Sequence, residues 1–362
     1  MMLKASSGEG TSCRIAPQNR RRNSPGRRRL GGLIMEPQAN LVQQLTEART
    51  CTDRLFAMLR PDSLHERPIP ERHRIIFYLG HMEAFDWNLI CRNSLGIPSF
   101  QAELDQLFAF GIDPPAGQLP NDQPKDWPSV AEVQQYNHKV RKVLDETLQE
   151  DLGDILHIAI EHRLMHAETF TYILHNLSSD RKSTTASNPQ PVSPEPVHTQ
   201  IEIPGGSANL GRSRQDGFGW DNEYEHSTVP VPPFAISKYK VTNRQYLEFV
   251  RLGGSPPHFW ERRGNQWLWR GMFRLVPLPL DWPVYVTYEQ ALAYATWKGQ
   301  SLPTEAQFHR AAYGTPQGPE RSYPWGEDHP SSVQGNLDFS QWDPVAVTAS
   351  PQGDSAFGVS QL

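Results

Sequence analysis

A break in periodicity is what most constrains this chain. From about residue 40 to residue 177 the apolar positions recur at helical spacing, and beyond Thr199 they come in short runs separated by turn-forming residues. Between the two, Ser178 to Thr199 sets Pro189, Pro191, Pro194 and Pro196 among serine, threonine, asparagine and charged residues, with no apolar period. Such a stretch can neither carry on a helix nor fill a core, so it reads as a linker. Each flank must then bury its own interior, and 362 residues suffice for two cores. The expected organisation is a disordered basic tail over 1–39, a helical bundle over 40–177, the linker over 178–199 and a second domain over 200–362.

Four amphipathic segments make up the first half: Leu41 to Leu59, Arg74 to Ile90, Val130 to Leu148 and Asp151 to Leu177, with a Pro/Gly-rich excursion from Gly111 to Pro128. They predict a four-helix bundle. In the second half the runs Ile201-Glu-Ile203, Phe234-Ala-Ile-Ser237 and Val284-Tyr-Val286 read as strands. Helices are expected over Thr242 to Leu252 and Tyr288 to Lys298, and a third from Thr304, a capping hydroxyl followed at once by the acidic Glu305. The whole is of the α+β class, its second domain irregular and rich in tryptophan.

Histidine spacing points to chemistry. In His162-Arg-Leu-Met-His166-Ala-Glu168 the two imidazoles lie four apart on one helix face, which is half of a metal site. Ile155, Ile158, Ala159, Met165 and Thr169 share that face, so the pair is expected in the buried stripe. Glu168 falls about 200° round from His166 and suits a hydrogen bond to a neighbouring helix better than the same ion. On the second segment His81 sits among Arg74, Phe77, Tyr78, Phe85 and Leu89, an aromatic stripe in which a buried imidazole needs a partner. Three neutral histidines from two helices would hold a divalent metal with positions left open, unlike a closed structural site. His65, His73, His138, His157 and His175 read as surface or packing residues.

Composition excludes several classes of function. No stretch reaches the roughly 18 uncharged apolar residues of a membrane span. Cys13, Cys51 and Cys91 are odd in number and widely spaced, forming neither a disulfide framework nor a zinc pattern, so a cytoplasmic location is expected. The net charge of −5 is unevenly shared, since residues 1–34 carry Lys4 and seven arginines against Glu9 alone. The acidic remainder gives no support for nucleic-acid binding. Trp220-Asp-Asn-Glu223 reads as a buried turn closed by its Asp and Asn side chains, and the tryptophans suit either aromatic packing or a quaternary-ammonium pocket.

Taken in order, the motifs resemble a known two-domain family. A first-helix histidine followed by His-x-x-x-His, here His81, His162 and His166, is similar to the DinB-like bundles. The second half resembles the formylglycine-generating-enzyme (sulfatase-modifying-factor) fold through Ile203-Pro-Gly-Gly-Ser-Ala-Asn-Leu-Gly211, Trp220-Asp-Asn-Glu223, Phe234-Ala-Ile-Ser-Lys-Tyr-Lys-Val-Thr-Asn243, Ser301-Leu-Pro-Thr-Glu305, Tyr323-Pro-Trp-Gly326 and Ala356-Phe-Gly-Val359. The pairing resembles the iron-dependent sulfoxide synthases of ergothioneine and ovothiol biosynthesis. That resemblance implies Fe(II) held by His81, His162 and His166, and a monomer or weak homodimer. It implies O2, a thiol such as cysteine or γ-glutamylcysteine, and a histidine derivative such as trimethylhistidine as substrates.

Two departures qualify it. Many members place a tyrosine pair shortly after the first histidine helix, but the corresponding Leu107-Phe-Ala-Phe-Gly-Ile112 has none, so no proton donor is assigned. The chain also stops at Leu362, just past the Phe-Gly motif, whereas the family continues, and a C-terminally truncated second domain is expected. Competing readings are a DinB-like divalent-metal thiol transferase that works without oxygen, and a non-catalytic binding module.

Overall fold

The computed structural model describes residues 28–30, 33–35, 38–114, 116–149, 152–183, 196–337, 339 and 341–362. Of the expected basic tail it describes little beyond a two-stranded hairpin, β1 (Arg28–Leu30) with β2 (Leu33–Met35); the rest of 1–37 and residues 184–195 of the linker lie outside the described residues. The chain divides between Thr185 and Ala186 into two compact units. Among the described residues no helix is long and apolar enough to cross a membrane.

The first unit is helical: α1 (Gln38–Ala57), α2 (Ile75–Asp86), α3 (Ala102–Phe110), α4 (Val130–Thr147) and α5 (Asp154–Asn176). Local chemistry sets the ends. At the start of α4, Ser129 and Glu132 form a reciprocal capping box, Ser129 Oγ accepting from the Glu132 amide at 3.3 Å and the Glu132 carboxylate from the Ser129 amide at 2.8 Å. Gly153, at φ 48°, opens α5 in a conformation that costs other residues strain. Residues 178–183 return to the bundle, where Ser183 N–H donates to Met58 O at 2.8 Å and Lys182 is buried.

α2 is the central helix. It packs against α3, α4 and α5, while α1 lies along α5. Ten of its twelve residues are buried, so it is enclosed on every side, and each fully buried Ile or Leu contributes about 1.5–3 kcal/mol. The buried set nevertheless includes Glu83 and Asp86. Beyond Asp86 the helix widens into a π-helical stretch, Trp87–Ser94, with Leu95 N–H reaching back five residues to Ile90 O.

Two expectations for this unit are corrected. α3 makes a fifth helix, where four were expected, over residues to which the sequence assigned no element; it is short, and its first turn is acidic. The buried face of α5 is also rotated from the stripe drawn through His162. It is centred on Leu156, Ala159, Ile160, Arg163, Ala167, Phe170 and Leu174; His162 is buried at its edge as expected, His166 is half-buried, and Met165 is 51% exposed. An arginine at the centre of a core face breaks a hydropathy pattern, so apolar spacing points one position away from the true face.

The second unit pairs β3 (Gln200–Ile203) with β6 (Phe234–Ser237), and β4 (Gly206–Leu210) with β5 (Ser227–Val231), both antiparallel. A meander of β7 (Trp260–Arg263), β8 (Gln266–Arg270) and β9 (Leu275–Pro277) follows. α6 (Asn243–Arg251), α7 (Tyr288–Trp297) and α8 (Glu305–Tyr313) all open on the same device, a threonine N-cap with glutamine three residues on: Thr242/Gln245, Thr287/Gln290 and Thr304/Gln307. Trp260, Trp269 and Trp282 pack with Tyr246, Tyr285 and Tyr294 in one core, Trp260 and Trp269 facing each other across the β7–β8 register. Aromatic packing therefore accounts for these three tryptophans.

Val284-Tyr-Val286 is not a strand. Pro283 makes an isolated bridge with Thr242 and has no amide to extend a ladder, leaving Val284 N–H to donate to Val241 O at 2.9 Å. Val359 is buried against Ile203 and Ala311, and Ser360 N–H donates to Lys238 O at 2.9 Å. Left-handed Gly358 and Gln361 bend the chain there, so no ladder forms.

Candidate metal centre

α2 brings His81, and α5 brings His162 and His166, to one place. One ring nitrogen from each lies within 4.8 Å of the others, and among the described residues no carboxylate joins the group. His81 Nε2 and His166 Nε2 are 3.1 Å apart. Two nitrogens bound at right angles about 2.1 Å from one ion are about 3.0 Å apart, so this pair already has the spacing of adjacent ligands.

Hydrogen bonding fixes which atom His81 offers. Its Nδ1 lies 2.6 Å from the Phe108 carbonyl, and a carbonyl only accepts. Nδ1 therefore carries the proton and Nε2 turns its lone pair to the cluster. Phe108 O is available because it stands in the last turn of α3, where helix carbonyls lack an intrahelical donor. α3 can come this close only because residue 80 is glycine: a Cβ there would sit 2.5 Å from the Phe108 ring. Gly80 and Phe108 thus orient His81, and neither was singled out from sequence. The signals were present, in the acidic first turn of Glu103 and Asp105, the Leu104/Phe108 pair and Gly111 as terminator.

Aromatic rings hold the other imidazoles. His162 lies flat on Phe85, centroids 3.4 Å apart and planes within 10°, and Tyr78 stands 6.0 Å from His166. His81 stacks on Phe77 at 4.7 Å. Burial, reinforced by the neighbouring His166 and His81, pushes the His162 imidazole down to about 2. Burial likewise brings His166 to about 4 and lowers His81. All three are neutral at neutral pH, the form that binds metals.

The donor set fits a divalent metal. His81 Nε2 and His166 Nε2, 3.1 Å apart with the His81 proton held on Nδ1, leave two nitrogens crowded together with at most one proton between them, an arrangement that a shared cation suits. A cavity of about 400 Å³ is lined by Glu71, Arg72, His73, Asp113 and Gln118 together with Tyr78, the ring that separates it from His166; none of the three histidines lines it. His73, expected to be an ordinary surface or packing residue, lies 3.5 Å from the Asp113 carboxylate and packs at a tilt against Phe77, ring centroids 4.3 Å apart, one ring away from His81.

Other expectations change. Glu168 is exposed, and no hydrogen bond joins it to a neighbouring helix among the described residues. Trp220 to Glu223 is an exposed turn, closed when the Glu223 carboxylate accepts the Trp220 amide at 2.7 Å, not by Asp221 or Asn222. Leu107 to Ile112 forms the end of α3 and its glycine turn.

Comparison with known proteins agrees with both halves. Residues 44–170 match the DinB superfamily, and residues 185–358 match the sulfatase-modifying factor enzyme 1-like domain. A hercynine oxygenase of Mycolicibacterium smegmatis is 32% identical over 247 residues, covering 62% of this chain and 57% of that protein. Another from Mycolicibacterium thermoresistibile is 28% identical over 363 residues, covering 91% of this chain and 79% of its own. Ergothioneine biosynthesis protein 1 of Neurospora crassa is 27% identical over 309 residues, covering 68% and 35%. The chain thus spans little more than half the length of the first relative and about a third of the fungal one.

Proposed function

Because the chain belongs to the family that joins a DinB superfamily bundle to a sulfatase-modifying factor enzyme 1-like domain, we propose that it is a non-haem Fe(II)- and O2-dependent sulfoxide synthase. It would join a thiol to the imidazole of a histidine derivative of the hercynine (trimethylhistidine) kind, the substrate named for two of its relatives. The observation that carries this reading is the donor set: three neutral imidazoles converging with no acid among them. Three protein nitrogens leave a six-coordinate ion open positions, and iron bound there would supply the redox chemistry for O2. The overall reaction balances as thiol S–H plus imidazole C–H plus O2, giving a carbon–sulfur bond bearing one oxygen and a molecule of water.

The chain's own residues would do the rest. Phe77, Phe85 and Tyr78 wall the histidines and exclude water. Arg72, exposed at the cavity and facing no carboxylate among the described residues, suits a substrate carboxylate; Glu71 and Asp113 suit an ammonium. Holding two amino-acid-like substrates beside one ion supplies proximity.

The test is oxygen uptake by protein loaded anaerobically with Fe(II). Consumption is expected only when thiol and trimethylhistidine are both present, and His162→Ala should abolish it along with stoichiometric iron. Thiol-dependent turnover under argon would favour a metal-dependent transferase instead.

A further inference from the structure

Beside the ligands lies a group of charges that the proposed reaction does not use. Arg163, next to His162 on α5, is only 1% exposed, and its guanidinium crosses to α2. There Nη2 donates to Met82 O at 2.9 Å and to Asp86 Oδ2 at 2.6 Å, while Nη1 donates to Glu83 Oε1 at 2.9 Å and, more weakly, to Thr52 Oγ1 of α1 at 3.4 Å. Glu83 also accepts from Arg141 of α4 at 2.6 Å, and Arg141 forks onto Asp53 of α1 at 2.7 Å through each nitrogen. Four helices meet in this network.

We infer that Arg163 is a positioning residue for the metal centre, a clasp that fixes how α5 sits against α2 and so where the three imidazoles meet. The inference rests on the metal-site reading. Along α2 the gripped residues interleave with those that build the centre: His81 offers its nitrogen, Met82 and Glu83 are gripped, Phe85 stacks on His162, and Asp86 is gripped. Arg163 itself follows directly on His162. A slide of either helix by one residue is about 1.5 Å, most of the difference between a bound and an unbound nitrogen. Three bonds from one planar cation to three points on α2 oppose that slide and the accompanying rotation.

Stability alone is a poor reason for such a network. Arg163, Glu83 and Asp86 are all buried, and buried ion pairs replaced by apolar groups of like volume often leave a protein as stable or more so. What apolar packing lacks is direction. Leucine in place of Arg163 would tolerate several registers of α5 on α2; the fork tolerates one.

The experiment measures metal binding, not turnover, on the full chain. The charge-free variant Glu83→Gln/Asp86→Asn/Arg163→Met should fold, yet bind Fe(II) at least about tenfold more weakly, the scale of losses on removing a metal site's outer support. Its Co(II) complex should show an altered visible spectrum, which a role confined to stability would not produce. Arg163→Lys, which keeps the charge but not the fork, serves if the triple variant does not fold, and should show the same changes to a smaller degree. Wild-type affinity and Co(II) spectrum in either folded variant would overturn the clasp alone. Failure of the wild-type chain to take up Fe(II) or Co(II) would overturn the metal centre and the clasp with it.

Discussion

The two units build their interiors by different means. The second is closed by aromatic rings, Trp260, Trp269 and Trp282 against Tyr246, Tyr285 and Tyr294, and its helices start on repeated threonine–glutamine caps. The first places three imidazoles, two carboxylates and a guanidinium on and around its central helix. Aromatic packing is adaptable, whereas charged and ligating groups demand one geometry. The difference shows where the molecule needs a fixed shape and where it needs only a filled one.

Breaking each kind of interior should give the largest effects. Glu83→Ala leaves two guanidiniums facing a buried gap and should cost about 3–5 kcal/mol by chemical denaturation. Trp269→Ala, at a fully buried position, should cost a similar 3–5 kcal/mol through its cavity. Rescue separates them. Adding Arg163→Met to Glu83→Gln should recover much of the loss in the helical unit, and a strictly additive double variant would contradict the shared network.

A smaller effect concerns the approach of α3 to α2. Gly80→Ala should drive Phe108 back, cost about 1–3 kcal/mol from overpacking and weaken metal binding by loosening His81. Unchanged affinity in a calorimetric titration would show that the Phe108 carbonyl does not matter to the ligand.

Acid should distinguish the units as well. Folding holds His162 at about 2 and His166 at about 4, against about 6.5 in an unfolded chain. Above 6.5 both states are neutral and these groups contribute no pH dependence. Below it the unfolded chain takes up protons that the folded one refuses, so the metal-free helical unit should lose stability steadily from pH 6.5 towards 4. His162→Phe should flatten that slope in melts followed at each pH. Smallest of all, Thr304→Ala should remove about 1 kcal/mol from the second unit, with metal binding untouched.

Sequence carried the pairing of His162 with His166 because four-residue spacing marks one helix face, whereas His81 was reached through its aromatic stripe and the family resemblance; the helix starts at Thr242 and Thr304 were legible because caps are local. It did not carry Arg163. An arginine in a core position is stable only with Glu83 and Asp86 around it, and those partners stand 80 and 77 residues away. α3 escaped for a related reason: nine residues with an acidic start give little apolar period, and its importance lies in a carbonyl, which every residue has. Val284-Tyr-Val286 has a strand's composition, but among the described residues no strand pairs with it.

The bond from His81 to Phe108 has one more consequence. α3 ends at left-handed Gly111, and the residues that follow, including Asp113 and Gln118, line the cavity. An occupant that draws this segment inward moves α3, and with it the acceptor that sets the His81 ring. Occupancy of the cavity and of a metal at the three histidines would then be thermodynamically linked. An ion bound there would change the occupant's affinity by the same factor by which the occupant changes the ion's, and titrations of metal with the cavity filled and empty should differ by that factor.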